Sequence, residues 1–289
     1  MSESTEAVVS IAGNESVADA ACPTCAARSQ TRSPAGFVYA IGRIEPRFPN
    51  LAVEKEFAQV IGRTDTAGQT DRQVMHDLLS KRENRYLARQ LCWVFTVNGL
   101  EVYLLLPRDA LDFELLVEAI GPTQEPDDID VVIGTRGPLA PPEMCNGLMV
   151  PLAVVDQIYS FRRKALLQAI PHPEDVDRSQ FQSAASELFE RVLGMTDNAG
   201  ASDEHRALNY LAMRYPAIYA HTATRLQSDY ALTGVETRPY PLANARRIVE
   251  VIFRYGNRKS DFSEKFVVRV DVTEEFPFLF SKLSPFYDK

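Results

Sequence analysis

Apolar residues along this chain come in two rhythms, and the switch between them marks out the elements. Phe37-Val38-Tyr39-Ala40-Ile41 is a β-branched and aromatic run that predicts a short strand ended by Gly42. After Pro49, Phe57, Val60 and Ile61 fall at helical spacing, and Val74, Leu78 and Leu79 repeat it after Asp71, an N-cap candidate. Residues 86–97 are apolar with polar interruptions, and Asn98-Gly99 separates them from the run 100–106. That dipeptide supplies the positive φ angles of a tight type I′ turn, so a hairpin is predicted here. Residues 109–120 read as a helix with Leu111, Leu115, Leu116 and Ile120 inward, and residues 129–133 as a strand.

The second half opens helically. Residues 154–169 are apolar throughout and predict a helix that stops before Pro171 and Pro173. Phe181, Ala184, Ala185, Leu188, Phe189, Val192 and Leu193 form one apolar stripe closed by Gly194. Ser202 is the cap of a longer helix reaching about Tyr230, with Leu208, Leu211, Ala212 and Tyr215 inward and Pro216 kinking or dividing it. Strands return after Gly234, where residues 248–255 and 266–272 flank the turn Gly256-Asn257-Arg258-Lys259. Helices and antiparallel hairpins in separate blocks indicate an α+β fold. The Pro/Gly-rich loop from Gly137 to Pro151 is the best boundary. It predicts two small domains, 35–147 and 148–289, after an arm of residues 1–34 that lacks aromatic residues and reads as flexible.

Composition adds limits. A chain of 289 residues, 45% hydrophobic and 24% charged, is globular in type, and no stretch approaches the ~18 to 20 apolar residues that cross a bilayer. The first residues, MSESTEAVVS, lack a basic region followed by an apolar core, so no secretion signal and no membrane contact are expected. A net charge of −8 argues against a nucleic-acid partner. Four cysteines are too few for a disulfide scaffold, so a reducing, cytoplasmic compartment is expected.

Candidate chemistry is sparse. Cys22-Pro-Thr-Cys25 has the spacing of half a tetrahedral zinc site. The other two ligands would come from elsewhere, or from the same pair in a symmetric homodimer; a redox pair or two ordinary thiols are the other readings. Cys92, beside Trp93, reads as a small buried hydrophobe, while Cys145 sits in a loop where it is a packing thiol or a nucleophile oriented through Glu143. No nucleotide-binding loop, hydrolase elbow or close histidine pair is present. Residues 246–269 hold seven basic residues against three acids. Arg246, Arg247, Arg254, Arg258, Lys259 and Arg269 therefore read either as the polar face of an amphipathic hairpin or as a docking face for an acidic peptide.

Taken together, several blocks resemble one family. Cys22-Pro-Thr-Cys25, FVYAIGRIEPRFPNLAVEKEFAQV, NRYLARQLCWVFTVNGLEVY, APPEMCNGLMVPL and DVTEEFPFLFSKLSPFYD are similar to the C-terminal regions of PatG-type cyanobactin maturation proteases. In that family the region is a domain of unknown function joined to a subtilisin-like macrocyclase. This chain carries no subtilisin triad: Asp65-Thr66-Ala67-Gly68 is not the protease Asp-Thr-Gly. The resemblance implies a non-catalytic accessory protein of ribosomal-peptide maturation, with a precursor peptide or maturation protease as partner and zinc on Cys22 and Cys25. A peptide-modifying enzyme using Cys145, or a zinc-stapled dimerisation module, are the alternatives.

Overall fold

A computed structural model describes residues 36–62, 67–121, 128–171, 174, 176–195, 197–241 and 245–287. The expected arm, with Cys22 and Cys25, lies outside these residues. Strand β1 (Phe37–Arg47) does not stop at Gly42. A Cβ there would stand 2.1 Å from the Thr96 carbonyl oxygen and 2.9 Å from the Phe95 ring. Glycine thus lets a neighbouring strand cross closely and does not end β1. Helix α1 (Leu51–Ile61) starts where the Asn50 side chain accepts from Val53 N. Helix α2 (Asp71–Leu79) is capped by Thr70, reciprocally with Gln73, so Asp71 is its first residue and not its cap. Residues 86–97 divide into α3 (Arg85–Gln90) and β2 (Cys92–Val97).

The predicted turn is present: Asn98 and Gly99 have φ of 52° and 80°, joining β2 to β3 (Leu100–Leu106). Asp109 caps α4 (Ala110–Ala119), which buries Leu116 and, just beyond its end, Ile120. Leu111 and Leu115 are exposed instead, because one face of so short a helix already fills its place against the strands. With β4 (Ile129–Leu139) and β5 (Pro151–Phe161), the strands close into a barrel in the order β1-β2-β3-β5-β4. Every pairing is antiparallel except β3 with β5.

β5 corrects an expectation, since only Arg163–Ala169 (α5) of the predicted helix is helical. Two open edges, on β3 and β4, flank the apolar run, and its β-branched Val154, Val155 and Ile158 suit pairing with both. The loop expected to divide two domains therefore joins two strands of one barrel. A cut after Gly147 would separate β5 from both partners, and residues 35–289 form one compact unit.

Val38, Ile44, Trp93, Phe95, Tyr103 and Leu105 fill the barrel, and α1 to α4 cover it with Phe57, Leu78, Leu87 and Leu116. The outer side of β1 and β4 is also buried: Tyr39, Ile41, Val131 and Ile133 pack on a second layer. That layer holds α6 (Arg178–Leu193), whose predicted stripe is buried, α7 (Asp203–Arg214), capped by Ser202, and α8 (Ala217–Gln227), set off by Pro216. Beyond it lies an antiparallel sheet of β6 (Tyr230–Pro239), β7 (Ile248–Asn257), β8 (Ser263–Asp271) and β9 (Phe278–Pro285). Val249, Val251, Phe253, Val268 and Val270 face the helices.

A third apolar cluster lies on the barrel's outside. Cys92, Val94 and Leu104 point outward there, and the 140–150 loop folds over them with Ala140 and Cys145. Cys92 and Cys145 form a disulfide with Cα atoms 5.8 Å apart. The expectation of two packing thiols is thereby corrected. The loop brings together residues 53 apart in sequence, a proximity that no local pattern encodes.

Helix α7 fixes the second layer to both sheets. Asn209, fully buried, donates to the Tyr39 carbonyl at 2.8 Å and pairs with Asn198, whose amide also reaches Val192 O. Beside it Tyr39 N donates to Gly200 O at 2.9 Å. Gly200 has φ of 68°, and a Cβ would stand 2.3 Å from the Tyr39 carbonyl oxygen, so only glycine fits. Arg206, also buried, donates to the carbonyls of Val272 and Glu275 at 2.8 and 3.1 Å and to that of Glu274. Its guanidinium also sits over the Phe37 ring.

Two outcomes follow from this join. Asn209→Ala leaves the Tyr39 carbonyl and Asn198 unsatisfied in the core, and is expected to lower the unfolding free energy by about 2 to 4 kcal/mol in urea titration. Glu275 lies in the turn that Arg206 holds; burial pushes its carboxyl up to about 7, aided by Asp156 and opposed by Arg108 and Arg206. As pH rises from the ordinary glutamate range to about 7, the unfolded chain loses this proton while the folded chain keeps it, so stability falls through that window. Glu275→Gln is expected to raise Tm above wild type at about pH 8 and to leave it unchanged at about pH 4, read by thermal melts.

Candidate functional site

The outer face of the four-stranded sheet, turned away from the helices, carries the densest polar and aromatic arrangement. Strand alternation sends Glu250 of β7 outward, yet its side chain is only 3% exposed. Two arginines bury it: Arg238 Nε and Arg269 Nε donate to its two carboxylate oxygens at 2.8 and 2.9 Å. Each arginine is in turn held by a ring, Arg269 over Tyr240 and Arg238 over Phe286, at 4.6 and 4.8 Å from the centroids. Phe280 lies 6.4 Å from Tyr240. Along the edge strand and its flanks Phe276, Phe278, Phe280 and Tyr287 are exposed.

Most of the basic residues singled out in the sequence have acidic neighbours. Arg269 binds Glu250, Arg247 meets Asp203 at 3.1 Å, Arg246 lies 3.8 Å from the buried Asp271, Arg254 pairs with Glu236, and Lys259 with Asp229. Arg258 is exposed, with no acidic partner among the described residues. The hairpin's excess charge is thus largely answered by neighbouring strands and by α7. Sequence reasoning missed the aromatic residues of β9, although the alternation Phe278-Leu279-Phe280 was there to read: Leu279 packs on the core and both phenylalanines face outward.

A second concavity, of about 240 Å³, lies between α2, α3 and α4. Leu79, Ala88, Phe113 and Val117 line it, and at its rim Arg85 pairs with Glu114 at 2.9 Å. His76, also on its wall, faces Asp77. Ser80 Oγ lies 3.4 Å from His76 Nε2, but its hydroxyl donates to the His76 carbonyl at 2.7 Å, and Arg89, Glu114 and Glu118 make the lining as charged as it is apolar. Cys145 is no free thiolate, since its sulfur is bonded to that of Cys92. His221 is packed edge-on against Phe266 and Tyr255, and burial holds its imidazole down to about 4, so it stays neutral. Among the described residues, no group of three or more His, Cys, Asp and Glu is placed to hold a metal ion. No helix among them is long and apolar enough to cross a membrane.

Comparison with known proteins bears on this arrangement. Among curated proteins none matches the chain. A solved structure described as the PatG Domain of Unknown Function superposes with a TM-score of 0.71 at 21% identity, covering 87% of this chain and 99% of that one, which shows a shared fold. The family model described as PatG Domain matches residues 37–238, from the first barrel strand into β6. With more than half its length matched by that model, the chain belongs to the PatG domain family.

Proposed function

We infer that the chain is a binding module of ribosomal-peptide maturation, an accessory protein that docks a precursor peptide or a partner maturation enzyme. The observation that carries this reading is the outer sheet face, where Arg238 and Arg269 are locked on Glu250 beside Tyr240 and exposed phenylalanines. Arginine and aromatic side chains are the residues that dominate binding energy at protein interfaces, and side chains held in place before binding lose little entropy on docking. Acidic positions on a partner would meet Arg258 and the exposed side of Arg246.

The edge strand supports a side-chain interface in preference to strand addition. β9 pairs with β8 through two register shifts, and Lys282 and Pro285 stand within it. Bulges, lysine and proline blunt an edge against backbone pairing and leave its side chains as the recognition element.

Fluorescence titration of the full chain with precursor peptides and maturation enzymes encoded beside its gene tests this reading. Binding is expected, and the double substitution Phe278→Ser with Phe280→Ser is expected to weaken it by about tenfold or more while the melting curve stays close to wild type. Absence of binding to any of these partners, or equal affinity of the double variant, overturns it.

A further inference from the structure

The 140–150 loop is held on the barrel by unusual means. Ala140 N donates to Val150 O at 2.8 Å and closes its base. Among the described residues, the backbone bonds of residues 141–149 stay inside the loop: Met144 N to Pro141 O, Gly147 N to Met144 O, and Leu148 N to Cys145 O. What joins its tip to the barrel is the Cys92–Cys145 bond and apolar contact with Val94 and Leu104. The tip is also bent against its preference. Cys145, Asn146 and Gly147 have φ of 50°, 54° and 84°, three successive left-handed residues of which two carry a Cβ. Asn and Gly enter that region readily, so the Cβ cost falls on Cys145, which the bond to Cys92 holds there.

Both cysteines are buried, and an open cavity reaches the Cys145 side of the pair. Cys145 lines this cavity of about 470 Å³, walled by Arg47, Phe48, Glu54, Asn146 and Leu148. Under the loop lies the outer face of β2, β3 and β5, with Val94, Leu104 and Leu152. Met149 on the loop and Leu139 at the end of β4 are already exposed, so a lifted loop would enlarge an existing apolar surface.

We propose that Cys92 and Cys145 form a redox-active site whose reductant is a protein or small-molecule dithiol, and whose reduction frees the 140–150 loop to uncover an apolar surface on the barrel. The dithiol's thiolate enters through the cavity and attacks Cys145 Sγ; the bond to Cys92 breaks and Cys92 leaves as a thiolate that takes up a proton. The second thiol of the reductant then displaces Cys145, which is likewise protonated. Two electrons and two protons pass to the protein, and the reductant ends as its own disulfide. Without the bond, the left-handed tip relaxes and the loop is held by a few apolar contacts. This site is independent of the docking face on the outer sheet.

The test uses the full chain, with dithiothreitol as the dithiol. Peptide mass spectrometry after alkylation is expected to find Cys92 and Cys145 linked without reductant and both alkylated after it. Amide hydrogen exchange is expected to rise about tenfold or more in residues 140–150 on reduction, with β1 and β4 unchanged. Cys145→Ser without reductant should match the reduced wild type. The inference is overturned by thiols that stay unlinked even after treatment with oxidised glutathione, by loop exchange equal in the two states, or by exchange that rises throughout the barrel.

Discussion

The carbonyl of Tyr39 and the carbonyls that follow β8 are satisfied by side chains of one helix, and the layered arrangement depends on those bonds. Residues 38–41 of β1 are buried on both faces, so this stretch offers the second layer no charged rim to grip. Asn209 and Gly200 take the main-chain carbonyl and N–H of Tyr39, Asn198 holds Asn209 in place, and the Tyr39 hydroxyl bonds Arg214 of the same helix. Three residues before Asn209, Arg206 takes the carbonyls of the turn that launches β9. Desolvation lowers the affinity of its guanidinium for the proton to about 10, so it remains charged at neutral pH and its bonds to neutral carbonyls stay charge-assisted. Apolar packing between the layers is extensive but directionless, and these bonds set one register for it.

Legibility in the sequence follows the range of the interaction involved. Asn98-Gly99, the Ser202 cap, the break at Pro216 and the stripe of α6 are local, and each is found as the pattern predicts. The α+β class follows from them. β5 was not legible, because Val154 to Ile158 fit a helix as well as a strand and the deciding factor is the pair of open edges on β3 and β4. The same holds for Arg206 and Asn209, polar letters among the inward positions of α7 whose partners lie far along the chain. The Cys92–Cys145 pair is the extreme case: each cysteine has a bland local context, and only closure of the barrel makes them neighbours. Of the candidate site, Arg269 was legible, while Arg238 and the pairing of both arginines with Glu250 were not.

That pairing changes what the sheet face is. A cluster of free cations would attract acidic chains diffusely and lose its hold as salt rises. Arginines held by Glu250 and by rings present instead a fixed, largely neutral surface in which planar guanidinium and aromatic groups alternate. Such a surface selects by shape and stacking.

The parallel pairing of β3 with β5 also governs the order in which the chain can become a protein. An emerging chain that has reached Gly147 holds four barrel strands but two unpaired edges, with residues 38–41 of β1 and 131–133 of β4 apolar on both faces. β5 closes the ring, and α6 to α8, which cover the outer side of β1 and β4, come later still. Closure therefore waits on contacts between distant parts of the chain, and the half-built barrel is its most adhesive state. A segment that looks like a hinge between domains is, for the nascent chain, the last stretch to be made before the ring can shut.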